Sequence, residues 1–306
     1  MQSGYFNAAW SDIKNSPGWF GKVLVLSLVS LIPVFGAIVV YGYVFGWARD
    51  MAWDVHAPLP EHVFGNEDGK LYRRGFFALV ILFVCALVPW VVELVGSIVT
   101  GVGLGSLSWH SYGGGFLPLT FGLMAGLAGL AFFVLSLAAY FFATFFFWVG
   151  TMRMSIYDRL SAGFQLGRMW AMMRHDFGGI LRIFGMAVLL SLILAVVVFT
   201  LVLVVVFIGA AVSLFAFGGA LDINRGQFDG AVVGAVLVAI ALVAALALFV
   251  AFVSAVMGVF VEMMTARALG YWTRQFNVPA WRGQDDPMPF ELRPLPSCQQ
   301  PPMQDR

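Results

Sequence analysis

Apolar and charged positions alternate along the chain on a scale of tens of residues. Residues 23–48, 75–92, 94–152, 183–221 and 230–261 contain no Asp, Glu, Lys or Arg. A bilayer-spanning helix needs about 20 predominantly apolar residues, so each of these stretches is long enough to enter a membrane. The 94–152 stretch is too long for one span. It is punctuated by Gly101, Gly103, Gly105, Gly113, Gly114, Gly115 and Pro118, which predicts a loop between two helices. Residues 183–221 also exceed one crossing, and the end from Gly209 to Gly219 is expected to bend along the interface. The apolar segments of the predicted bundle are therefore about 23–48, 75–100, 119–151, 180–208 and 230–268.

The first segment is ambiguous, because Pro33 near its middle removes a backbone donor and breaks or kinks a helix. It crosses once with a kink, or it enters and leaves on one side as a bent hairpin. Lys22 followed by an apolar run imitates a secretory leader, but the run continues to Ala48 without a small-residue cleavage pattern, so the segment is read as retained.

Two further stretches have a helical stripe without the length to span. Phe6, Ala9, Trp10 and Ile13 recur at i, i+3, i+4 and i+7, and Asn15-Ser16-Pro17-Gly18 ends the pattern. Ile156, Leu160, Phe164, Gly167 and Ala171 share a face opposite Ser161, Gln165 and Arg168. Both read as interfacial helices. From Asn277 onward the chain holds seven of its 13 prolines, with Gln and charged residues, and no helical period; that composition predicts disorder. The expected organisation is an interfacial amphipathic helix over 1–18, a transmembrane helix bundle over 19–276 and a disordered proline-rich tail over 277–306. The fold class is all-α, a polytopic transmembrane helix bundle with interfacial amphipathic helices.

Composition supports that class. Of 306 residues 61% are hydrophobic and 11% charged, against roughly a quarter charged in a soluble domain. The lipid bilayer is thus the expected partner. A net charge of +1 offers no basis for nucleic-acid binding, which rests on clustered Lys and Arg meeting phosphates. Along the connecting segments the Lys and Arg counts run 2, 4, 0, 5, 1 and 5. The positive-inside rule then puts segments 49–74 and 153–182 and the C-terminus in the cytoplasm, in a multi-pass cell-membrane protein. A single crossing by 23–48 would leave Lys14 and Lys22 outside, so the count favours the hairpin.

Gly18-Trp19-Phe20, an apolar run through Ile32-Pro33, Gly42-Tyr43, Leu59-Pro60 in a polar loop and Gly75 opening the next helix occur in order. Together they resemble the membrane-protein family catalogued as domain of unknown function 4013. The resemblance extends through Tyr157 to Phe177 and the helix that follows. It implies a multi-helix prokaryotic membrane protein, with no activity, cofactor or catalytic residue to carry over.

Three positions stand out as candidate intramembrane polar or hinge positions: Glu93, Glu262 and Pro33. Glu93 is the one acid well inside an otherwise uncharged helix, a functional-site hypothesis by default. About 18 residues from Gly75 place it roughly 27 Å along the helix, near the outer interface, where a carboxylate reaches water. Glu262 lies five residues before Arg267, and the plain expectation is an interfacial ion pair with Arg267 or Arg182. The sharper alternative is a gate or a proton-linked carboxylate. Pro33 marks where a broken helix would expose backbone groups. Leu31-Ile32-Pro33 and Leu87-Val88-Pro89 hint at an internal repeat.

Other candidates are weaker. His56, His62, His110 and His175 sit in three connecting segments at no metal-ligand spacing, and neither Cys85 nor Cys298 has a ligating neighbour. No cofactor and no metal are expected. Gly122, Gly126 and Gly129, and Gly230 with Gly234, have the small-xxx-small spacing that lets membrane helices approach, within this chain or in a helix-mediated homo-oligomer. No nucleophile and base stand at a credible spacing, so the chain is not expected to be an enzyme. A non-enzymatic scaffold, assembly or sensing protein is the first expectation, and a transporter or channel for a small solute the alternative.

Overall fold

A computed structural model describes residues 4–65, 68–109, 117–220 and 230–292. Among the described residues the chain is all-helical: α1 (Tyr5–Asn15), α2 (Trp19–Ser30), α3 (Phe35–Ala52), α4 (Leu71–Trp109), α5 (Leu117–Tyr157), α6 (Leu166–His175), α7 (Phe177–Ala220) and α8 (Gly230–Arg274). Short 3-10 turns cover Leu160–Phe164 and Val278–Ala280. Four stretches are long and apolar enough to cross a membrane, Leu71–Val99, Gly126–Tyr157, Phe177–Ala211 and Leu237–Arg274. Their side chains are largely exposed, with Phe199, Phe207 and Leu248 among the most open. An apolar surface of that extent suits lipid and not water.

The long helices run further than the charge-free stretches suggest. α4 continues through Gly101, Gly103 and Gly105, where a loop is expected from the sequence, and α7 runs as one helix past Gly209 to Ala220. The reason is the solvent: where water cannot satisfy free N–H and C=O groups, an unbroken helix is the cheapest backbone, and glycine is tolerated inside it. Pro89 likewise sits inside α4 without ending it. Residues 110–116, within the expected outer loop, lie outside the described residues.

The chain divides into two compact units. The first comprises 1–47, 57–76 and 181–268. In it α2 and α3 are separate helices joined by a turn at residues 31–34, where Pro33 stops α2 and Val34 adopts φ +65°. That left-handed conformation is unfavourable for a β-branched residue. The two helices fold back on each other: Lys22 at the start of α2 donates to the Leu59 carbonyl (3.0 Å), while the Tyr43 hydroxyl on α3 donates to the Pro60 carbonyl (3.0 Å). A bent hairpin, one of the two readings of the sequence, is what forms. Gly42 lies against the Leu71 carbonyl and Gly75 against the Ile38 carbonyl, so closely that neither position has room for a Cβ. The residues that carry the family resemblance thus clasp the hairpin to the 59–60 loop and to the start of α4. On α1, Ala9 and Ile13 are buried and Trp10 meets Trp19 and Phe260 edge-on, the stripe its periodicity predicts.

The second unit comprises 48–56, 77–180 and 269–306. Asp176 starts α7 as an N-cap, its carboxylate accepting from the Gly179 amide (3.0 Å). Its carbonyl accepts from the Trp272 indole (3.3 Å), and its other carboxylate oxygen accepts from the Gln275 amide (2.7 Å). The expected continuous stripe from Ile156 to Ala171 is interrupted. Leu160–Phe164 is a 3-10 turn, Gln165 breaks the register, and the buried face of α6 is Met169, Met172 and Met173. The tail also differs from the expectation of disorder from Asn277. As far as Leu292 it is packed, with Val278 and Met288 buried and Trp281 stacked on Tyr157 at 5.9 Å. Those apolar anchors offset the entropy that the prolines and charges around them would otherwise keep. Residues 293–306 lie outside the described residues.

Candidate functional site

In the first unit a cavity of about 270 Å³ opens beside the hairpin turn. One wall comes from the end of α2 and the first turns of α3, with Ser30, Ala37, Val40 and Tyr41. The other comes from α8, with Ala255, Gly258, Val259 and Glu262. Helical spacing explains the second wall, since 255, 258, 259 and 262 are i, i+3, i+4 and i+7 on one face. Pro33 explains the first, by ending α2 at Ser30 and letting α3 return.

Glu262 is half-buried here. Among the described residues no ion pair or hydrogen bond engages its carboxylate, whose electrostatic neighbour is Tyr41. The expected pairing with Arg267 does not form. Five residues along a helix turn a side chain by about 140°, so Arg267 points elsewhere. It is fully buried, its Nε donates to Asp12 Oδ2 at 2.7 Å, and its other nitrogens donate to the Trp47 (2.9 Å) and Ala57 (3.4 Å) carbonyls. The guanidinium also lies 4.3 Å from the centre of the Trp47 ring.

Glu93 belongs to the second unit and is not part of this cavity. It is exposed on α4, accepts from the Ser136 hydroxyl (3.3 Å) and has the Tyr140 hydroxyl beside it. Of the three positions singled out in the sequence, the structure brings Glu262 together with the helix end that Pro33 creates. Among the described residues, nothing lies within 4 Å of where a Cβ would stand at Gly126 or Gly234. Gly129 is half-buried, and the side-chain surroundings of Gly122 and Gly230 lie outside the description.

A second polar cluster, around Arg153 in the second unit, was not foreseen from the sequence. Arg153 is fully buried and donates to Gln165 Oε1 (2.5 Å), the Gln284 carbonyl (3.1 Å) and the Ala162 carbonyl (3.4 Å). The Met172 and Met288 sulfurs lie at 4.0 and 3.9 Å from one of its nitrogens, and the Tyr157 and Trp281 rings flank it at 5.4 and 5.7 Å. Arg168 pins the same tail segment through Glu291 (2.6 Å) and the Asp285 carbonyl (2.9 Å). The available signal was Trp281, Met288 and Phe290, three large apolar residues within a polar, proline-rich stretch.

The family model described as "Protein of unknown function (DUF4013)" matches residues 25–203. The chain belongs to that family, and its four long apolar helices make it a multi-pass membrane protein. No curated protein and no solved structure matches the chain.

Proposed function

With that family as the starting point, we propose that the chain works without catalysis as a scaffold, assembly or sensing protein of the cell membrane, with both termini in the cytoplasm. One observation carries the reading. The ordered surface of the second unit, formed by the 3-10 turn at Leu160–Phe164, α6 and the tail as far as Leu292, is fixed from within by Arg153 and Arg168, while Arg174 and Arg282 remain exposed on it. A rigid surface with outward charges is suited to hold a partner. In gently solubilised membranes the chain should migrate in a complex larger than its own 33.4 kDa. Changing Arg174→Gln and Arg282→Gln should release it without altering its melting temperature. Migration as a lone chain, or a complex indifferent to both changes, would rule the reading out.

The sidedness rests on the alternating Lys and Arg counts. A membrane-impermeant thiol reagent should leave Cys298 untouched in intact cells, and labelling before permeabilisation would reverse the orientation. The alternative, a transporter or channel for a small solute, is favoured by the Glu262 cavity. Reconstituted vesicles showing saturable solute flux that Glu262→Gln abolishes would select it.

A further inference from the structure

The cavity beside the hairpin turn holds a carboxylate in an unusual position. Elsewhere in the first unit the acids near buried arginines are used: Asp12 meets Arg267, and Asp68 meets Arg74 at 2.6 Å. Glu262 instead faces the cavity, with no cation or hydrogen-bond donor engaging it among the described residues. A carboxylate withdrawn from water without a partner is costly to keep charged, and the walls indicate what would relieve that cost.

Tyr41 brings an aromatic ring, whose face attracts cations. The Ser30 hydroxyl already donates to the Ser27 carbonyl (2.7 Å), so its oxygen is presented as an acceptor. The remaining walls are the aliphatic side chains of Ala37, Val40, Ala255 and Val259. Among the described residues no Lys, Arg or His lines the cavity to receive an anion, and one carboxylate is too few ligands for a divalent metal. The volume of about 270 Å³ lies just below the range of pockets for drug-sized molecules, roughly 300–1,000 Å³. The geometry points to a binding site for a primary ammonium carried on a short apolar stem, with the ammonium between Glu262 and Ser30 and the stem against the aliphatic walls.

Two sources offer that chemistry, a free amine and the ethanolamine headgroup of a phospholipid. Glu262 lies five residues before Arg267, about 7 Å along α8, close below the layer where Arg267 meets Asp12. Both sources can reach that depth. The inference goes beyond the scaffold reading and does not depend on transport, because a sensing protein and a carrier could hold the same site.

The test uses the full chain in dodecyl maltoside micelles, which contain no ammonium. By calorimetry, phenethylamine should bind about tenfold more tightly than the neutral isostere phenethyl alcohol, the advantage of a charge-assisted contact. Glu262→Gln should bring the two affinities together. Should that variant fail to fold, Gly258→Leu supplies the second arm: an added Cβ there meets nothing within 4 Å, so the side chain fills the cavity with the carboxylate intact, and the amine preference should vanish. In phosphatidylglycerol nanodiscs, displacement of phenethylamine by added phosphatidylethanolamine identifies the lipid headgroup as the occupant. Undiminished phenethylamine binding identifies a free amine. Equal affinity for amine and alcohol, binding of neither, or a preference that survives Glu262→Gln or Gly258→Leu would overturn the proposal.

Discussion

Arg267 and Arg153 are both fully withdrawn from water, and the two units settle the charge by different means. In the first unit Arg267 meets a carboxylate, Asp12, with backbone carbonyls completing its shell. In the second, among the described residues, no carboxylate lies within ion-pair distance of Arg153, whose charge is spread over an amide oxygen, two carbonyls, two sulfurs and two rings. The first arrangement is strong but brittle, since removing one ion strands the other. The second is made of many weak parts, and its failure should be graded.

The largest effect is expected where many of those parts leave at once. A chain ending at Phe276 loses Gln284, Trp281 and Met288 together. It should be destabilised by about 4 kcal/mol or more, from lost apolar burial and hydrogen bonds to a charged group, and should melt well below the full chain in detergent. Its composition predicts that residues 293–306 can be removed without such a change; equal melting of the two truncated chains would show that the packed segment stabilises nothing. Next, Asp12→Asn strands the Arg267 charge. Asp12 is 23% exposed, so the loss should fall below that of a fully buried broken pair, at about 2–3 kcal/mol. Adding Arg267→Met should recover part of it, and strict additivity in a double-mutant cycle would contradict the pairing.

Arg153→Met should cost less, about 1–2 kcal/mol, because the new thioether suits a methionine-lined site and only neutral partners lose a donor. A loss equal to that of Asp12→Asn would erase the distinction between the two arginines. Glu93→Gln should do least. The acid is exposed and an amide can still accept from Ser136, so the melting temperature should stay within about 2 °C; a large drop would mean a buried role.

Much of this fold is legible where physics is local. Charge-free runs give the long helices, the period of Phe6, Ala9, Trp10 and Ile13 gives α1, and Pro33 gives the hairpin turn. The two Pro-containing tripeptides show the limit: Pro33 ends a helix and Pro89 does not. At Pro33 the chain turns and α3 returns to where α2 began, so that Lys22 and Tyr43 both reach the 59–60 loop, whereas at Pro89 continuing the helix is the way to keep the backbone bonded. Glu262 and Arg267 are neighbours in sequence but not on the helix surface, so reading along the chain paired the wrong residues. Arg267 finds Asp12 255 residues away, a distance no periodicity encodes. Glu262 and Pro33 were singled out separately, and only the fold shows the cavity between the helix faces they mark.

The Asp12 to Arg267 contact also bears on the order in which the protein is built. At roughly 5–20 residues per second of synthesis, 255 residues separate the two partners by on the order of ten seconds or more. α1 is translated long before this cation, and the contact must wait while the helices between are threaded into the bilayer. Only when the final turns of α8 emerge can the Asp12–Arg267 pair form, so an early helix gains one of its contacts among the last. Any interruption of synthesis before Arg267 would leave α1 unlatched, a ready mark by which quality control could recognise an unfinished chain.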